Sequence, residues 1–232
     1  MKRSDLILLL LVCAVALLFG LVEPLQTAYI QANAAHPYGM AFLKFAILAT
    51  LGEVIGLRIK TGAYYEAGFG VLPRAVVWGL LGMWIAVALK TFAAGTPYFL
   101  QSLGVEQAVE AMKGPLSGEK VLCAFVISVM MNTTFGPVFM TLHKVTDTHI
   151  LNCGGSLRAL VTPIPIGKIL SGLNWKVQWG FVFKKTIPLF WIPAHTITFL
   201  LKPQHQVLFA TLLGVALGIF LSVAAIANRK TH

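Results

Sequence analysis

The chain has 232 residues, of which 57% are hydrophobic and 11% are charged, and its formal net charge at pH 7 is +10. A soluble domain usually has about 25% charged residues, so this chain cannot cover the surface of a soluble globule. Several apolar stretches long enough to cross a bilayer follow one another. The combination excludes a soluble enzyme, a secreted disulfide scaffold and a disordered chain. It predicts an all-α, polytopic helical transmembrane bundle.

Six membrane-spanning helices are predicted, within one integral-membrane domain that covers residues 1–232. The spans lie near residues 6–22, 40–59, 73–94, 121–142, 182–201 and 207–227. Most of them provide the roughly 20 residues that cross a hydrocarbon core. A core of four spans, with the first and third stretches re-entrant or interfacial, is the alternative. The first stretch follows Lys2-Arg3 as a signal peptide does, but no small-residue cleavage site follows it, so we expect an uncleaved span.

The basic residues predict the orientation of the spans. Lys and Arg concentrate in the cytoplasmic loops of membrane proteins, and most of the 18 in this chain fall on one side when both termini are cytoplasmic. We therefore predict that both termini lie in the cytoplasm. The basic residues are scattered and form no continuous stripe, so the lipid bilayer is an expected partner and nucleic acid is not.

Glu53 is the acidic residue inside the second predicted span. It lies about 9 Å from the nearer membrane edge, and Thr50 and Gly56 share its helix face. Such a small, polar face meets protein or water rather than lipid. Two interpretations follow. Glu53 pairs with a Lys or Arg of a neighbouring helix in a packing seam, or it forms part of the wall of an aqueous path.

His195 is the deepest titratable residue of the fifth predicted span. Pro188 and Pro193 precede it, and Thr198 follows on the same side. Each proline removes one backbone hydrogen bond and bends the helix, and the freed carbonyl needs protein or a wet cavity around it. The segment is either a kinked helix with one hydrogen-bonded histidine or a bent, polar-faced helix that lines a pore, and we favour the second interpretation.

The fourth predicted span has polar residues and a second bending point. Thr133 is predicted to face the pore, and Gly136-Pro137 is predicted to bend the helix. At the membrane edge that follows lies a polar cluster, whose members are His143, Lys144 and Asp147.

The edge cluster is not predicted to bind a metal. With His149 it would supply histidine and carboxylate ligands, but residues of these types at an interface more often cap helices and anchor them. No nucleophile elbow, zinc-protease motif or phosphate-binding loop occurs in the sequence. We therefore predict no cofactor, no metal and no enzymatic activity, and keep a membrane-embedded metal enzyme as the weakest alternative.

Three segments resemble the family of peroxisomal membrane proteins and Mpv-seventeen. The residues that carry the resemblance are Ala35-His36-Pro37 with Leu51-Gly52-Glu53, then Gly136-Pro137-Val138 with Lys144-Val145 and Asp147, and finally Trp191, His195, Thr198, Phe199 and Pro203. Glu53 stands where the family usually has aspartate, and His195 and Thr198 stand where it has glutamine and asparagine.

The resemblance implies a small integral membrane protein. Family members lie in peroxisomal and mitochondrial inner membranes, and some are regarded as weakly selective channels for small solutes. The Lys-Arg start and the extra first span of this chain favour a relative in a bacterial plasma membrane over an organelle protein.

These patterns predict a weakly selective channel for small solutes, anions among them. The residues predicted to line the pore or bind solute are Glu53, Thr50, His195, Thr198 and Thr133. A non-conducting structural or partner-binding protein is the alternative, because the same polar faces hold helices together. Two small-residue pairs, Gly52 with Gly56 and Gly214 with Gly218, suit packing within one chain or in a homo-oligomer.

Overall fold

The computed structural model describes the backbone of residues 2–230 and the side chains of residues 2–15 and 17–223. Over the described backbone the chain is helical and contains no strand, which confirms the predicted all-α class. The helices, numbered along the chain, are α1 (Arg3–Leu21), α2 (Glu23–Ala35), α3 (Pro37–Thr61), α4 (Val71–Ser102), α5 (Ala108–Lys113), α6 (Gly118–Asn152), α7 (Ile166–Gly172), α8 (residues 175–200) and α9 (Pro203–Lys230). A 3₁₀ turn, Leu157–Leu160, precedes α7.

The chain divides into two compact units, residues 1–40 and 41–232. In the first unit, α1 and α2 form a helical pair in which the ring of Phe19 meets the ring of Tyr29 edge-on, with centroids 5.7 Å apart. None of the described side chains of α1 is buried. An apolar helix with no buried face suits contact with lipid.

Five helices of the described chain are long and apolar enough to cross a membrane. They are α1, α3, α4, α6 and the part of α9 over Pro203–Val223. The predicted span at 182–201 falls on α8 and is not among them. It contains Lys184, Lys185 and His195, which make it less apolar than the other five. Its winding changes from π-helical over Gln178–Trp191 to α-helical over Ile192–Leu200. The prediction of two cytoplasmic termini needs an even number of crossings, and so needs α8 to cross as one unit.

Two helices extend beyond their predicted spans. The third predicted span ends at residue 94, whereas α4 continues through Pro97 to Ser102. The fourth ends at residue 142, whereas α6 continues to Asn152. Apolar runs mark only the part of a helix that faces hydrocarbon, while the backbone hydrogen bonds continue into the interface. The last predicted span, 207–227, lies within α9, and the side chains of its final residues lie outside the described ones.

Five helices of the second unit form a ring. Around it α3 packs on α4, α4 on α6, α6 on α8, α8 on α9, and α9 returns to α3. Near one end the ring is filled by the packed layer, which we define as Leu89, Ala124, Ile127 and Phe199. Each of these side chains is 2% exposed or less. Packing at this density leaves no passage for solute.

Glycines allow α3 and α4 to approach closely. A Cβ built on Gly79 would lie 2.4 Å from the ring of Phe42, and one built on Gly82 would lie 2.4 Å from Cβ of Phe45. The two aromatic side chains of α3 therefore occupy the space that side chains on α4 would need. This is the packing of small against large residues that brings membrane helices together.

We expect Gly82→Ala to destabilise the protein by about 1–3 kcal/mol, because the added methyl overlaps Phe45 near its backbone, where the ring cannot move away cheaply. Gly95→Ala is the matched control in the same helix, since a Cβ there meets nothing within 4 Å and alanine favours the helix. Thermal unfolding in detergent should show a lower Tm for the first variant and an equal or higher Tm for the second. Equal Tm values for the two variants would contradict this packing.

The predicted small-residue pairs differ in their contacts. Gly52 and Gly56 on α3 pack against α9, where built Cβ atoms would lie 3.1 Å from Val215 and 3.0 Å from Ser222. Gly214 and Gly218 on α9 have nothing within 4 Å of a built Cβ. The first pair thus packs against another helix of the same chain, whereas the space next to the second pair is open.

Candidate functional site

A cavity of about 510 Å³ lies inside the ring and is lined by all five ring helices. This volume is in the range of ligand pockets, about 300–1,000 Å³. Every lining residue belongs to the second unit. The lining is mostly apolar, and its polar side chains gather at two levels along the helices.

The cavity is closed at one end and open at the other. The packed layer closes it beyond Met131 of α6 and Ala210 of α9, which belong both to that core and to the cavity wall. At the opposite end the exposed side chains of Lys60 on α3 and Lys144 on α6 line the cavity. From Met131 to Lys144 the wall extends roughly 20 Å along α6. We call the end at Lys60 and Lys144 the mouth.

A charged cluster lies just inside the mouth. The guanidinium of Arg74, whose side chain is 6% exposed, donates to Oε2 of Glu53 at 2.6 Å and forms an ion pair with Asp147. The indole Nε1 of Trp78 donates to Oε1 of Glu53 at 3.0 Å, and the Nε2 atom of His143 lies 3.3 Å from the same oxygen. One cation thus holds two carboxylates from two different helices.

The partners of Arg74 explain why it lies inside the bundle. Its Nε donates to the carbonyl of Phe69 at 2.7 Å, and its guanidinium carbon lies 4.4 Å from the centroid of the Phe69 ring. Lys144 lies 3.7 Å from the second oxygen of Asp147. A charge-assisted network of this kind offsets the cost of removing the ions from water.

The cluster joins residues that the sequence treated separately. Glu53 came from the second predicted span, and His143, Lys144 and Asp147 from the edge cluster; the structure brings all four together. The sequence did not identify Arg74 as the centre of the charged cluster. Arg74 lies at the start of an apolar run, where a basic residue is commonly an anchor at the membrane edge. The packing interpretation of Glu53, in which it pairs with a Lys or Arg, describes this contact, yet Glu53 also lines the cavity.

Aromatic side chains form the middle of the cavity wall. Trp78, Phe135 and Phe139 line it; Phe135 stacks on Phe139 with centroids 5.4 Å apart, and the ring of Trp78 lies 4.4 Å from that of His143. The sequence provides a weak signal for this face, since Phe135, Phe139 and His143 follow one another at helical spacing. The apolar middle suits the apolar part of a ligand.

His195 lines the cavity next to the packed layer, and 8% of it is exposed. Its Nδ1 atom lies 3.1 Å from Oδ1 of Asn132, whose amide nitrogen donates to the Ser128 carbonyl at 2.8 Å. Because the amide nitrogen of Asn132 is engaged there, its oxygen accepts from His195, which assigns the proton to Nδ1. The Nε2 atom of His195 is then an acceptor, and it has no hydrogen-bond partner among the described residues.

Three predicted pore-lining threonines do not line the cavity. Thr198 is fully buried and donates to the Ala194 carbonyl at 3.0 Å. Thr133 is exposed and donates to the Val129 carbonyl at 2.7 Å. Thr50 is buried beside the cavity but is absent from its wall. Thr133 points away from the cavity because adjacent residues on a helix point about 100° apart and its neighbour Asn132 occupies the inner face.

The predicted helix-bending residues lie in three settings. Gly136 lines the cavity, and α6 continues without a break through Pro137. Pro188 lies inside the π-helical part of α8, and Pro193 lies at the start of its α-helical part. The prolines of α8 therefore lie within its π-helical part and just after it, and π-helical turns occur frequently at functional sites.

The residues considered for a metal site point to different neighbours. His143 faces Glu53, whereas the Nε2 atom of His149 lies 3.1 Å from the carbonyl of Ala159. His149 therefore ties the end of α6 to the turn that follows it.

Comparisons of this chain with protein-family models, with curated proteins and with solved structures found no match. The resemblance to the family of peroxisomal membrane proteins and Mpv-seventeen therefore rests on the sequence motifs alone and stays a prediction.

Proposed function

We propose that this multi-pass membrane protein is a weakly selective conduit for small solutes, with the cavity as its solute chamber. The observation that carries the proposal is the cavity itself: all five ring helices line it, and it brings Glu53 and His195 to one interior space. Intramembrane polar residues that face a cavity mark solute pathways in membrane proteins.

The packed layer makes the described conformation a closed one. Solute enters from the mouth and stops at Leu89, Ile127 and Phe199, so passage requires these side chains to separate. The winding change at Ile192 places a weak point in α8 two turns before Phe199. A rotation of the α-helical part of α8 about this point would open the layer.

The mouth favours solutes with negative charge. The lining contains the cations Lys60, Arg74 and Lys144 against the carboxylates Glu53 and Asp147, which leaves a positive balance. Cations at the entrance of a low-dielectric cleft raise the local concentration of anions. With the predicted orientation, the mouth faces the cytoplasm of a bacterial cell, and the membrane is its plasma membrane.

We expect purified protein in liposomes to pass small solutes, tested as the efflux of formate, glycerol and succinate. His195→Ala should raise the efflux, because it removes an imidazole from the narrow end of the chamber. His205→Ala is the matched control, since His205 is exposed and lies outside the wall. Liposomes that leak none of the three solutes, with or without His195→Ala, would refute the conduit.

A non-conducting structural protein is the second candidate, and the network around Arg74 favours it. A network of ion pairs that holds α3, α4 and α6 together needs no solute to explain it. This candidate predicts that variants of the cluster lower thermal stability while no liposome shows flux.

A further inference from the structure

The contacts between α8 and α9 indicate a lateral opening of the cavity. The α-helical part of α8 packs on the start of α9, whereas the π-helical part, Gln178–Trp191, packs on α6 and has no extended contact with α9 among the described residues. Both segments nevertheless line the cavity. Over the described residues, which on α9 end at Val223, the two helices therefore diverge from their connection at Leu201-Lys202, and the wall between them is open toward the mouth.

The rims of this opening are apolar. Phe181 on α8 is 41% exposed and Leu221 on α9 is 40% exposed, and both line the cavity. On the α9 side, Gly214 and Gly218 also line the cavity and have no neighbour within 4 Å of a built Cβ. Exposed apolar rims on membrane helices face acyl chains rather than water, so the opening connects the cavity with the bilayer.

Anion-binding groups lie at the polar end of the same opening. The exposed cations Lys60 and Lys144 line the mouth. Gln178 is 8% exposed and also lines the cavity, and its amide Nε2 has no hydrogen-bond partner among the described residues. Ile187 of α8 packs over Gly136 of α6, so these two residues lie at the same level. Gln178 lies about two turns from Ile187 toward the mouth, and Lys144 lies about two turns from Gly136 in the same direction. The buried amide and Lys144 are therefore at one level.

A buried donor without a partner is costly, and a ligand oxyanion would satisfy it. Cations and an amide donor at the mouth select a negatively charged head, while the aromatic middle and the apolar rims select a hydrocarbon chain. The carboxylates of Glu53 and Asp147 face the same space, but Arg74 neutralises them in part, and Lys60 has no carboxylate partner among the described residues.

We propose that the cavity binds a single-chain amphiphile with a carboxylate head, which enters from the bilayer between α8 and α9. The head lies at Lys60, Lys144 and Gln178, and the chain lies along Phe139 and Phe135. A volume of about 510 Å³ suits one chain of a drug-sized ligand better than a two-chain lipid. This inference deepens the proposed function and rests on its solute chamber, because it names the class of solute.

The test uses a decanoate analogue with a photoreactive diazirine on its chain, added to the full chain in phosphatidylcholine nanodiscs. After illumination, mass spectrometry should locate the label on Trp78, Phe135 or Phe139. Unlabelled decanoate should suppress the labelling, whereas decanol and decyltrimethylammonium should not, because they lack the negative head. Labelling confined to α1, or equal suppression by all three competitors, would overturn the proposal.

Two variants test the head and the opening separately. Lys60→Gln with Lys144→Gln should weaken decanoate binding by about tenfold or more, whereas Lys90→Gln with Lys113→Gln, two exposed lysines outside the wall, should leave it unchanged. Gly218→Leu should block labelling by filling the opening, since a Cβ at Gly218 meets nothing within 4 Å. Gly95→Leu, where a Cβ also meets nothing within 4 Å, should not. Unchanged binding in both cavity variants would overturn the site.

Two further outcomes separate the ligand class from the conduit. Suppression of labelling by phosphatidylglycerol in the bilayer, but not by decanoate, would overturn a carboxylate ligand in favour of a phospholipid. Decanoate labelling without solute efflux from liposomes would support this binding site and refute the conduit, whereas efflux of glycerol without labelling would overturn only the binding site.

Discussion

Phe199→Ala should increase solute efflux from liposomes several-fold over the unchanged protein. Phe199 is 1% exposed and fills the centre of the packed layer, so its removal leaves a void directly beyond the blind end of the cavity. Solute that now stops at the layer would pass through that void. Glycerol should respond most, because it is small and has no charge to desolvate in the apolar layer.

The control for this prediction is Phe125→Ala. Phe125 lies on α6 between the layer residues Ala124 and Ile127, but it is 47% exposed and points away from the ring. The same chemical change there should leave the efflux unchanged.

A second substitution excludes leakage from a merely destabilised bundle. A Phe to Ala change in a core costs about 3–5 kcal/mol, so thermal unfolding of each variant has to be measured beside its efflux. Phe199→Trp adds volume to the layer and also disturbs packing, yet it should reduce efflux below that of the unchanged protein. Higher efflux in both variants would show that instability, and not the opening of the layer, causes the leak.

Arg74→Met should destabilise the protein by about 3–5 kcal/mol, the cost of leaving buried charges without their partner. Arg74 is the cation shared by Glu53 and Asp147, and its removal leaves two carboxylates close together in a poorly solvated site. Thermal or denaturant unfolding in detergent measures the change. Because the network joins α3, α4 and α6, we expect the loss to appear as a lower Tm of the second unit.

The triple variant with Glu53→Gln, Asp147→Asn and Arg74→Met should recover most of the lost stability, because it removes the charges together. Lys113→Met is the control, because it also removes one cation from an ion pair. Lys113 and Glu110 are paired at 2.9 Å on the exposed surface, so this variant should leave the Tm unchanged. If Arg74→Met behaves like Lys113→Met, the charged cluster does not hold the ring together.

Hydropathy and composition were enough to predict the class of this protein and much of its helix plan. Hydropathy is a sum over neighbouring residues, so it locates α1, α3, α4, α6 and α9 without knowledge of their contacts. It also indicated that Glu53 and His195 were unusual, because a polar side chain inside an apolar run carries a cost wherever the helix packs. The ends of α4 and α6 were missed for the same reason, since the helical backbone continues where the apolar run stops.

The faces at which these helices meet could not be predicted from the local pattern and are seen only in the packed bundle. In a membrane protein the lipid-facing surface is as apolar as the packed interior, so hydropathy does not distinguish the inner face of α6, with Asn132 and Phe135, from the outer face, with Thr133. The role of Arg74 depends on Glu53 and Asp147 arriving from two other helices. The opening between α8 and α9 depends on the direction in which α8 leaves their connection. Contacts between residues far apart in the chain determine these features, and a local pattern contains no information about them.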